Sequence, residues 1–236
     1  HLKVNRVSPR HAAGSSKLIG GTGPITAMCN CGEFLEMYKE DMTFRIQSPE
    51  SVDPDETNPN APWVTSQTSN IGSSSPIVAR VLLQGKALLE SALLEGNVDK
   101  KATIIHLHAC KESLLACQKI ADTVSKSINS IIAQISEHGV RKENNGRGLN
   151  PFPQVQDLNT DCGNFLVQVN RTIRLICELP GFFYSLERPD SNFEHLSRRL
   201  SAAIDGDSPI LKFLNINAEA VRYLIDLRNF HEHPKE

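Results

Sequence analysis

Residues 107–139 read LHACKESLLACQKIADTVSKSINSIIAQISEHG, and their apolar positions recur with alternating steps of three and four. The recurring positions are Leu107, Cys110, Leu114, Cys117, Ala121, Val124, Ile128, Ile131 and Ile135. This heptad spacing predicts one long helix that packs at a shallow angle against its neighbours and stops at Gly139. If the helix is longer than its partners, its end near Ile131 and Ile135 would offer a surface to a second copy or an effector.

Segments on both sides of this stretch also have helical spacing. Pro76 is well placed as the first residue of a helix, and the apolar face that follows predicts a helix ending at Gly96. Residues 140–159 are rich in Asn, Gly and Pro, and we interpret them as a loop. Beyond the loop, steps of four and three between Cys162 and Ile176 predict a further helix.

Two more helices are predicted towards the C-terminus. Ser191 and Glu194 form a capping box for one of them, and Asn217 is expected to cap the last. No segment of residues 76–236 alternates with the period of two that is typical of strands. We therefore expect an all-α fold, an up-and-down bundle of about five helices over residues 76–236.

Residues 1–75 have a different character, because clusters of Gly, Pro, Asn and Asp interrupt them repeatedly. Residues 33–40 suit a short helix and residues 42–47 a short strand, but no period is sustained. We interpret the region as a long irregular arm that wraps the helical body or stays partly disordered. Phe44, Trp63 and Val64 are its expected anchors.

Composition excludes only a few classes of function. The formal net charge is −2, so the chain has no overall basic field and any RNA contact would be local. No apolar run is long enough to span a membrane, and the N-terminus lacks the pattern of a secretory signal. We therefore expect no membrane partner and a cytoplasmic location.

The six cysteines raise the question of disulfides or a metal. Most lie in predicted helices of a chain large enough to form a core, so buried free thiols are expected. His106 and Cys110 are four apart and could share a metal with Cys29 and Cys31. However, Cys110 lies on the apolar face of the long helix, and the cysteine spacing differs from that of structural zinc sites. We expect no metal.

The most suggestive motif lies at the end of the chain, where residues 227–233 read LRNFHEH. Arg228 and Asn229 are followed, after three residues, by His233. On an all-helical domain this Arg-Asn-x-x-x-His pattern resembles the HEPN superfamily (higher eukaryotes and prokaryotes nucleotide-binding). The resemblance implies a metal-independent ribonuclease of a toxin or defence system, without a cofactor, or an inactive relative that binds RNA or nucleotide.

The resemblance also implies a homodimer in which Arg228, Asn229 and His233 form the catalytic site in a cleft between subunits, with an antitoxin or effector protein as a further partner. These residue types suit attack by a ribose 2′-hydroxyl on the adjacent phosphate. Histidine can carry the proton, arginine can hold the phosphate oxygens, and asparagine can orient either group. In a regular helix, Arg228 and His233 point about 140° apart, so they meet only at a helix end or across a dimer.

The same residues can also be explained by a purely structural role. Arg228 and Glu232 are four apart and can form an ion pair, and His233 suits the negative end of a helix. The protein would then be a non-enzymatic helical interaction or scaffold protein that docks a partner through its bundle and N-terminal arm. This alternative predicts that Arg228 and His233 are separated and are either paired with other groups or solvated.

Overall fold

The computed structural model describes most of the chain, namely residues 17–94, 96–140, 154–184, 186 and 190–233. The chain forms two compact units, which we call unit 1, extending to Lys111, and unit 2, beginning at Glu112. The division falls inside a long helix, whereas the change in composition falls near residue 75.

Unit 1 is built around an antiparallel four-stranded sheet with the order β1-β2-β3-β4. Its strands are β1 (Ala27–Asn30), β2 (Phe34–Tyr38), β3 (Thr43–Gln47) and β4 (Val64–Ser69). Cys29, Glu36 and Arg45 lie opposite one another on adjacent strands. Since side chains alternate across a sheet, Cys29, Glu36 and Tyr38 share the buried face, and Met28 lies on the exposed one.

The turn between β2 and β3 is held by a later segment of the chain. The backbone amides of Ser73 and Ser74 donate to the carbonyls of Lys39 and Glu40, each at 2.9 Å. Gly72 lies directly against the turn, and a Cβ at this position would come 2.1 Å from the Lys39 carbonyl oxygen. Only glycine lets the two backbones approach this closely.

The helices of unit 1 follow β3 and β4. A single turn, α1 (Pro49–Val52), is capped by the Ser48 side chain. A π-helical segment (Val78–Gln84) continues into α2 (Gly85–Ser91), and α3 (Lys100–His138) begins in this unit. Gly85 lies close to α3, because a Cβ there would come 2.9 Å from Leu107 Cδ1. The buried apolar residues of unit 1 include Tyr38, Phe44, Val78, Leu82, Leu89, Leu107 and Cys110.

Unit 2 is helical throughout its described part. It contains the rest of α3, then α4 (Leu158–Glu178), a 3-10 turn (Leu179–Phe182), α5 (Phe193–Leu200) and α6 (Pro209–Glu232). Residues from α4, α5 and α6 form one buried core, consisting of Ile173, Cys177, Phe193, Leu196, Leu200, Leu211, Leu214 and Val221. Burial of each large apolar side chain contributes about 1.5 to 3 kcal/mol, so this core fixes the three helices. Burial also raises the pKa of Cys177 to about 12, which keeps this thiol protonated.

Polar contacts join α3 to α4 within unit 2. The buried hydroxyls of Ser113 and Thr172 are 2.7 Å apart, and the Gln168 side-chain amide donates to Ser113 Oγ at 2.8 Å. Cys117 Sγ lies 3.5 Å from the Thr172 hydroxyl. Cys117, which the heptad spacing placed on an apolar face, therefore contacts a hydrogen-bonded cluster.

The prediction of an all-α fold with an irregular arm is wrong, because a four-stranded sheet lies within residues 1–75. The short strand expected at 42–47 is confirmed as β3, whereas the helix expected at 33–40 is the strand β2. The alternation of β2 was hidden because one of its buried positions is Glu36. A buried carboxylate is indistinguishable from a surface residue in a hydropathy pattern.

The long helix predicted from heptad spacing is confirmed. Helix α3 ends at His138, and Gly139 has the left-handed φ of +66° that commonly ends helices. Its C-terminal half is largely exposed, including Ile128, Ile132 and Ile135. The expected packing against neighbours therefore holds only for its first half within the described part of the chain. Of the predicted loop, residues 141–153 lie outside the described residues.

The remaining helices are confirmed, but some of their ends are not. The helix expected to reach Gly96 ends at Ser91. Helix α5 is capped by Asn192, whose side chain accepts from the His195 amide, and not by the neighbouring serine. The expected cap at Asn217 is wrong, because α6 begins at Pro209 and continues through that residue. A serine followed by proline at the first helical position is the stronger start signal.

Candidate functional site

Helix α6 carries apolar residues on two opposite faces. The inner face, Leu211, Leu214, Ala218, Val221 and Ile225, packs in the core of unit 2. The opposite face carries a second series with steps of three and four, which we call the outer stripe: Phe213, Ile216, Ala220, Tyr223, Leu227 and Phe230. Steps of three and four keep each series on one side of the helix.

The outer stripe is open to solvent in the single chain. Its exposed fractions are 55% for Phe213, 80% for Ile216, 63% for Tyr223 and 66% for Phe230. One edge of Phe213 is near Phe193, with ring centroids 6.0 Å apart. A continuous row of large exposed apolar side chains is typical of a protein interaction surface. No helix in the described part of the chain is long and apolar enough to cross a bilayer.

The residues of the Arg-Asn-x-x-x-His motif lie where α6 ends. Arg228 forms an ion pair with Glu232, and its Nη1 donates to Asn229 Oδ1 at 3.2 Å. His233 is the C-cap residue, and its backbone amide donates to the Asn229 carbonyl at 2.9 Å. Arg228 and Asn229 are therefore brought together. No hydrogen bond or ion pair joins Arg228 to His233 within the described part of the chain.

The two ends of the motif also differ in exposure. Arg228 follows Ile225 on the inner face and is partly buried, with Nε making no hydrogen bond to the described residues. His233 is exposed. Its neighbour His231 lies against α4, where a Cβ at Gly163 would come 2.2 Å from the His231 ring nitrogen Nε2. One chain alone therefore holds the predicted arginine and histidine in different environments.

A second arrangement of polar groups lies inside unit 1, around Glu36. We call Glu36, Tyr38, Arg45, His108 and Lys111 the Glu36 cluster. Lys111 Nζ is 2.8 Å from Glu36 Oε2, and the Tyr38 hydroxyl donates to the same oxygen. His108 Nε2 is 3.0 Å from the other oxygen, Oε1, and Arg45 Nη2 is 3.6 Å from it. Glu36, Tyr38 and Lys111 are almost completely buried.

This environment holds Glu36 in its charged form. Burial alone would raise the pKa of the carboxyl, but the hydrogen bond from His108 and the positive charge of Lys111 outweigh it and lower the pKa to about 2. Burial, together with the negative charge of Glu36, raises the pKa of Tyr38, so its hydroxyl remains a donor. The negative charge of Glu36 is thus compensated by the cations Lys111 and Arg45.

Two thiols lie beside this cluster. Cys29 and Cys31 are buried, and the Cys31 thiol donates to the Cys29 carbonyl oxygen at 3.6 Å. The contact between the two side chains lowers the pKa of Cys29 and raises that of Cys31. Cys31 Sγ, a carboxylate oxygen of Glu36 and an imidazole nitrogen of His108 lie within 4.8 Å of one another. Thiolate, carboxylate and imidazole are the ligands that zinc takes in proteins.

The metal-compatible group differs from the one suggested by helical spacing. Among the described residues it contains Cys31 and His108 but neither His106 nor Cys110. Sequence reasoning missed Glu36, because pairing between β1 and β2 brings it to the thiols and no local signal marks it. The outer stripe was missed for a simpler reason, since Phe213 and Ile216 precede Asn217, where the helix was expected to begin.

No protein-family model, curated protein or solved structure matches this chain. The HEPN resemblance therefore depends on the motif and its helix alone.

Proposed function

We propose that the protein is a non-enzymatic helical interaction protein that forms a homodimer through the outer stripe of α6. The observation that carries the proposal is the exposure of Phe213, Ile216, Tyr223 and Phe230 along one face of a helix whose opposite face is already buried. A helix with apolar residues on opposite faces is normally covered on both. A partner that presents a matching apolar helix would cover the outer stripe.

A second copy of the chain is a suitable partner because the spacing of the outer-stripe residues is the same in both directions along the helix. Its steps are three, four, three, four and three. In an antiparallel pair, Phe213 faces Phe230, Ile216 faces Leu227, and the small Ala220 faces the large Tyr223. Such pairing of large with small side chains fills space between helices, and a two-fold interface needs a self-complementary surface. Antiparallel helices also place opposite ends of their dipoles together.

Dimerisation would make the protein a bivalent module, because each dimer carries two copies of unit 1 and two exposed α3 ends. Linked binding surfaces bind a multivalent partner more tightly than separate ones do. The interaction role proposed here therefore follows from pairing and needs no chemistry at Arg228 or His233.

Sedimentation equilibrium tests the proposal. The wild type is expected at twice the chain mass of 26.1 kDa. Tyr223→Glu buries a charge at the centre of the interface and should raise the dissociation constant by at least about 30-fold. Ile132→Glu is the matched control, since it places the same charge on an exposed apolar position of α3. A monomeric wild type, or dissociation by Ile132→Glu alone, contradicts the proposal.

A second candidate is the metal-independent ribonuclease of a toxin or defence system, with Arg228, Asn229 and His233 as its catalytic residues. The hydrogen bond between Arg228 and Asn229 at the end of α6 favours it, because both groups are within reach of one phosphate. It requires a parallel pair, in which the two helix ends meet and one chain's arginine faces the other chain's histidine. RNA cleavage in EDTA that His233→Ala abolishes would support it.

A further inference from the structure

Three side chains with different donor atoms converge at one buried point of unit 1. The ligand atoms of Cys31, Glu36 and His108 lie within 4.8 Å of one another, and all three residues are shielded from solvent. Zinc bonds to sulfur, nitrogen and oxygen of about 2.0 to 2.3 Å place neighbouring tetrahedral ligand atoms about 3.3 to 3.8 Å apart. A small inward movement of side chains therefore suffices to bring all three into bonding range.

We propose that Cys31, Glu36 and His108 bind a zinc ion, with Cys29 as the fourth ligand. Cys29 is buried on the same face of the sheet, directly opposite Glu36, and the Cys31 thiol donates to its carbonyl oxygen at 3.6 Å. The Cys29 thiol lies outside the group of atoms that are within 4.8 Å of one another, so its side chain has to move furthest to reach the ion. Two thiolates, one imidazole and one carboxylate make a closed tetrahedral set that suits a structural site. This inference is independent of dimerisation through α6.

The carboxylate of Glu36 is already arranged for monodentate ligation. Its Oε2 is held by Lys111 at 2.8 Å and by the Tyr38 hydroxyl. Its Oε1 faces the imidazole of His108 at 3.0 Å, with the Arg45 guanidinium further away at 3.6 Å. Hydrogen bonds to the distal oxygen of a ligating carboxylate fix its orientation, as outer groups do at established metal sites. Lys111 and Tyr38 would serve as these outer groups.

The imidazole of His108 is also held in place. The Phe34 ring packs edge-on against it, with centroids 5.5 Å apart. The guanidinium of Arg45 stacks over the same phenylalanine at 3.8 Å from its centroid. A side chain confined in this way loses little rotamer freedom on binding a metal, which favours affinity.

Charge balance favours two thiolates over one. Zinc carries two positive charges, and the release of one proton each from Cys29 and Cys31 to solvent supplies two negative charges. The net charge of the buried site is then the same with zinc as with two protons, so the ion pair of Glu36 and Lys111 remains compensated. With a single thiolate, an uncompensated positive charge would remain in the interior.

The test uses the full chain, stripped of metal by a chelator under reducing conditions and then titrated with zinc or cobalt alone. We expect one zinc per chain by elemental analysis, and a sulfur-to-cobalt charge-transfer band in the cobalt form. Cys31→Ser should lose both signals, and Tyr38→Phe should weaken zinc binding by about 10-fold or more. Cys162→Ser, at an exposed thiol outside the site, is the matched control and should behave as the wild type.

If Cys31→Ser fails to fold, measurements on the wild type alone still test zinc binding. Absence of stoichiometric zinc, of a cobalt–thiolate band and of any zinc-dependent rise in Tm would show a hydrogen-bonded cluster without a metal and would overturn the proposal. Equal loss of zinc in Cys162→Ser would overturn it as well, because binding would then lie elsewhere.

Discussion

Arg228 is held by Glu232, one turn further along α6. A phosphate at this position would compete with the Glu232 carboxylate for the guanidinium. His233, the other end of the predicted motif, is exposed and joined to α6 only through its backbone amide in the described chain. Within one chain, Arg228 and His233 are therefore held in different environments and do not contact each other in the described residues.

The substitution Glu232→Gln distinguishes the proposed ribonuclease from the proposed interaction protein. The substitution frees the arginine, so a ribonuclease should cleave RNA faster, and its activity should still disappear with His233→Ala. The interaction account predicts no RNA cleavage above background for the wild type, Glu232→Gln or His233→Ala. Gel analysis of RNA incubated with each protein in EDTA measures this, with Lys86→Gln as a control that breaks a surface pair of the same spacing.

Glu36→Gln is expected to destabilise unit 1 strongly. It removes the negative charge that Lys111 contacts at 2.8 Å and leaves a buried ammonium uncompensated. Breaking a buried pair in this way costs about 3 to 5 kcal/mol. Urea denaturation measures the loss. Glu90→Gln breaks the exposed pair with Lys86 and should cost less than about 1 kcal/mol. Equal effects of the two substitutions would show that burial of Glu36 is energetically unimportant.

The same carboxylate makes stability depend on acid pH. The pKa of Glu36 is about 2 in the folded chain, against an ordinary value of 4.5. A lowered pKa stabilises the folded state above the ordinary value, and the contribution disappears as pH falls from about 4.5 towards 2. The full contribution is roughly 3 kcal/mol.

Comparison with Glu36→Gln isolates this contribution from that of other carboxylates. The difference in unfolding free energy between the wild type and the variant should be constant above pH 5 and shrink towards pH 2. A difference that does not change with pH would mean that the pKa of Glu36 is the same in the folded and the unfolded chain.

Gly72→Ala is expected to weaken the sheet of unit 1. The added Cβ would lie 2.1 Å from the Lys39 carbonyl oxygen and 2.4 Å from the Met42 amide nitrogen, and neither backbone atom can move without breaking the turn. We expect a loss of more than about 1 kcal/mol in unfolding free energy. Gly206→Ala is the control, because among the described residues beyond its two chain neighbours no atom lies within 4 Å of a Cβ there. A neutral Gly72→Ala would show that the turn is not tightly packed.

Local sequence signals predicted most of the helices but not the sheet. Helix α3 was predictable because its spacing and Gly139 depend only on neighbours in sequence. Strand β2 was not, because Glu36 is buried by groups from elsewhere in the chain, notably Lys111 on α3. A buried charge that is paired with a residue far away in the sequence leaves no pattern among its sequence neighbours.

The candidate site was predicted only in part. The ion pair of Arg228 with Glu232 followed from their spacing and is confirmed. The outer stripe was overlooked because a helix that begins at Asn217 would lack Phe213 and Ile216, two of its large side chains. Once Ser208 and Pro209 are recognised as the helix start, the full series becomes visible in the sequence.

Disulfide trapping tests the central claim, antiparallel pairing through the outer stripe, most directly. Phe213→Cys and Phe230→Cys are made as separate variants in a Cys162→Ser background, which removes the exposed native thiol. Disulfides form only between residues whose Cα atoms come within about 7 Å. We predict that mild oxidation of the mixed variants gives a crosslinked dimer, and that neither variant alone does. Crosslinking of Phe230→Cys with itself, without the mixed product, would indicate parallel pairing and contradict the account.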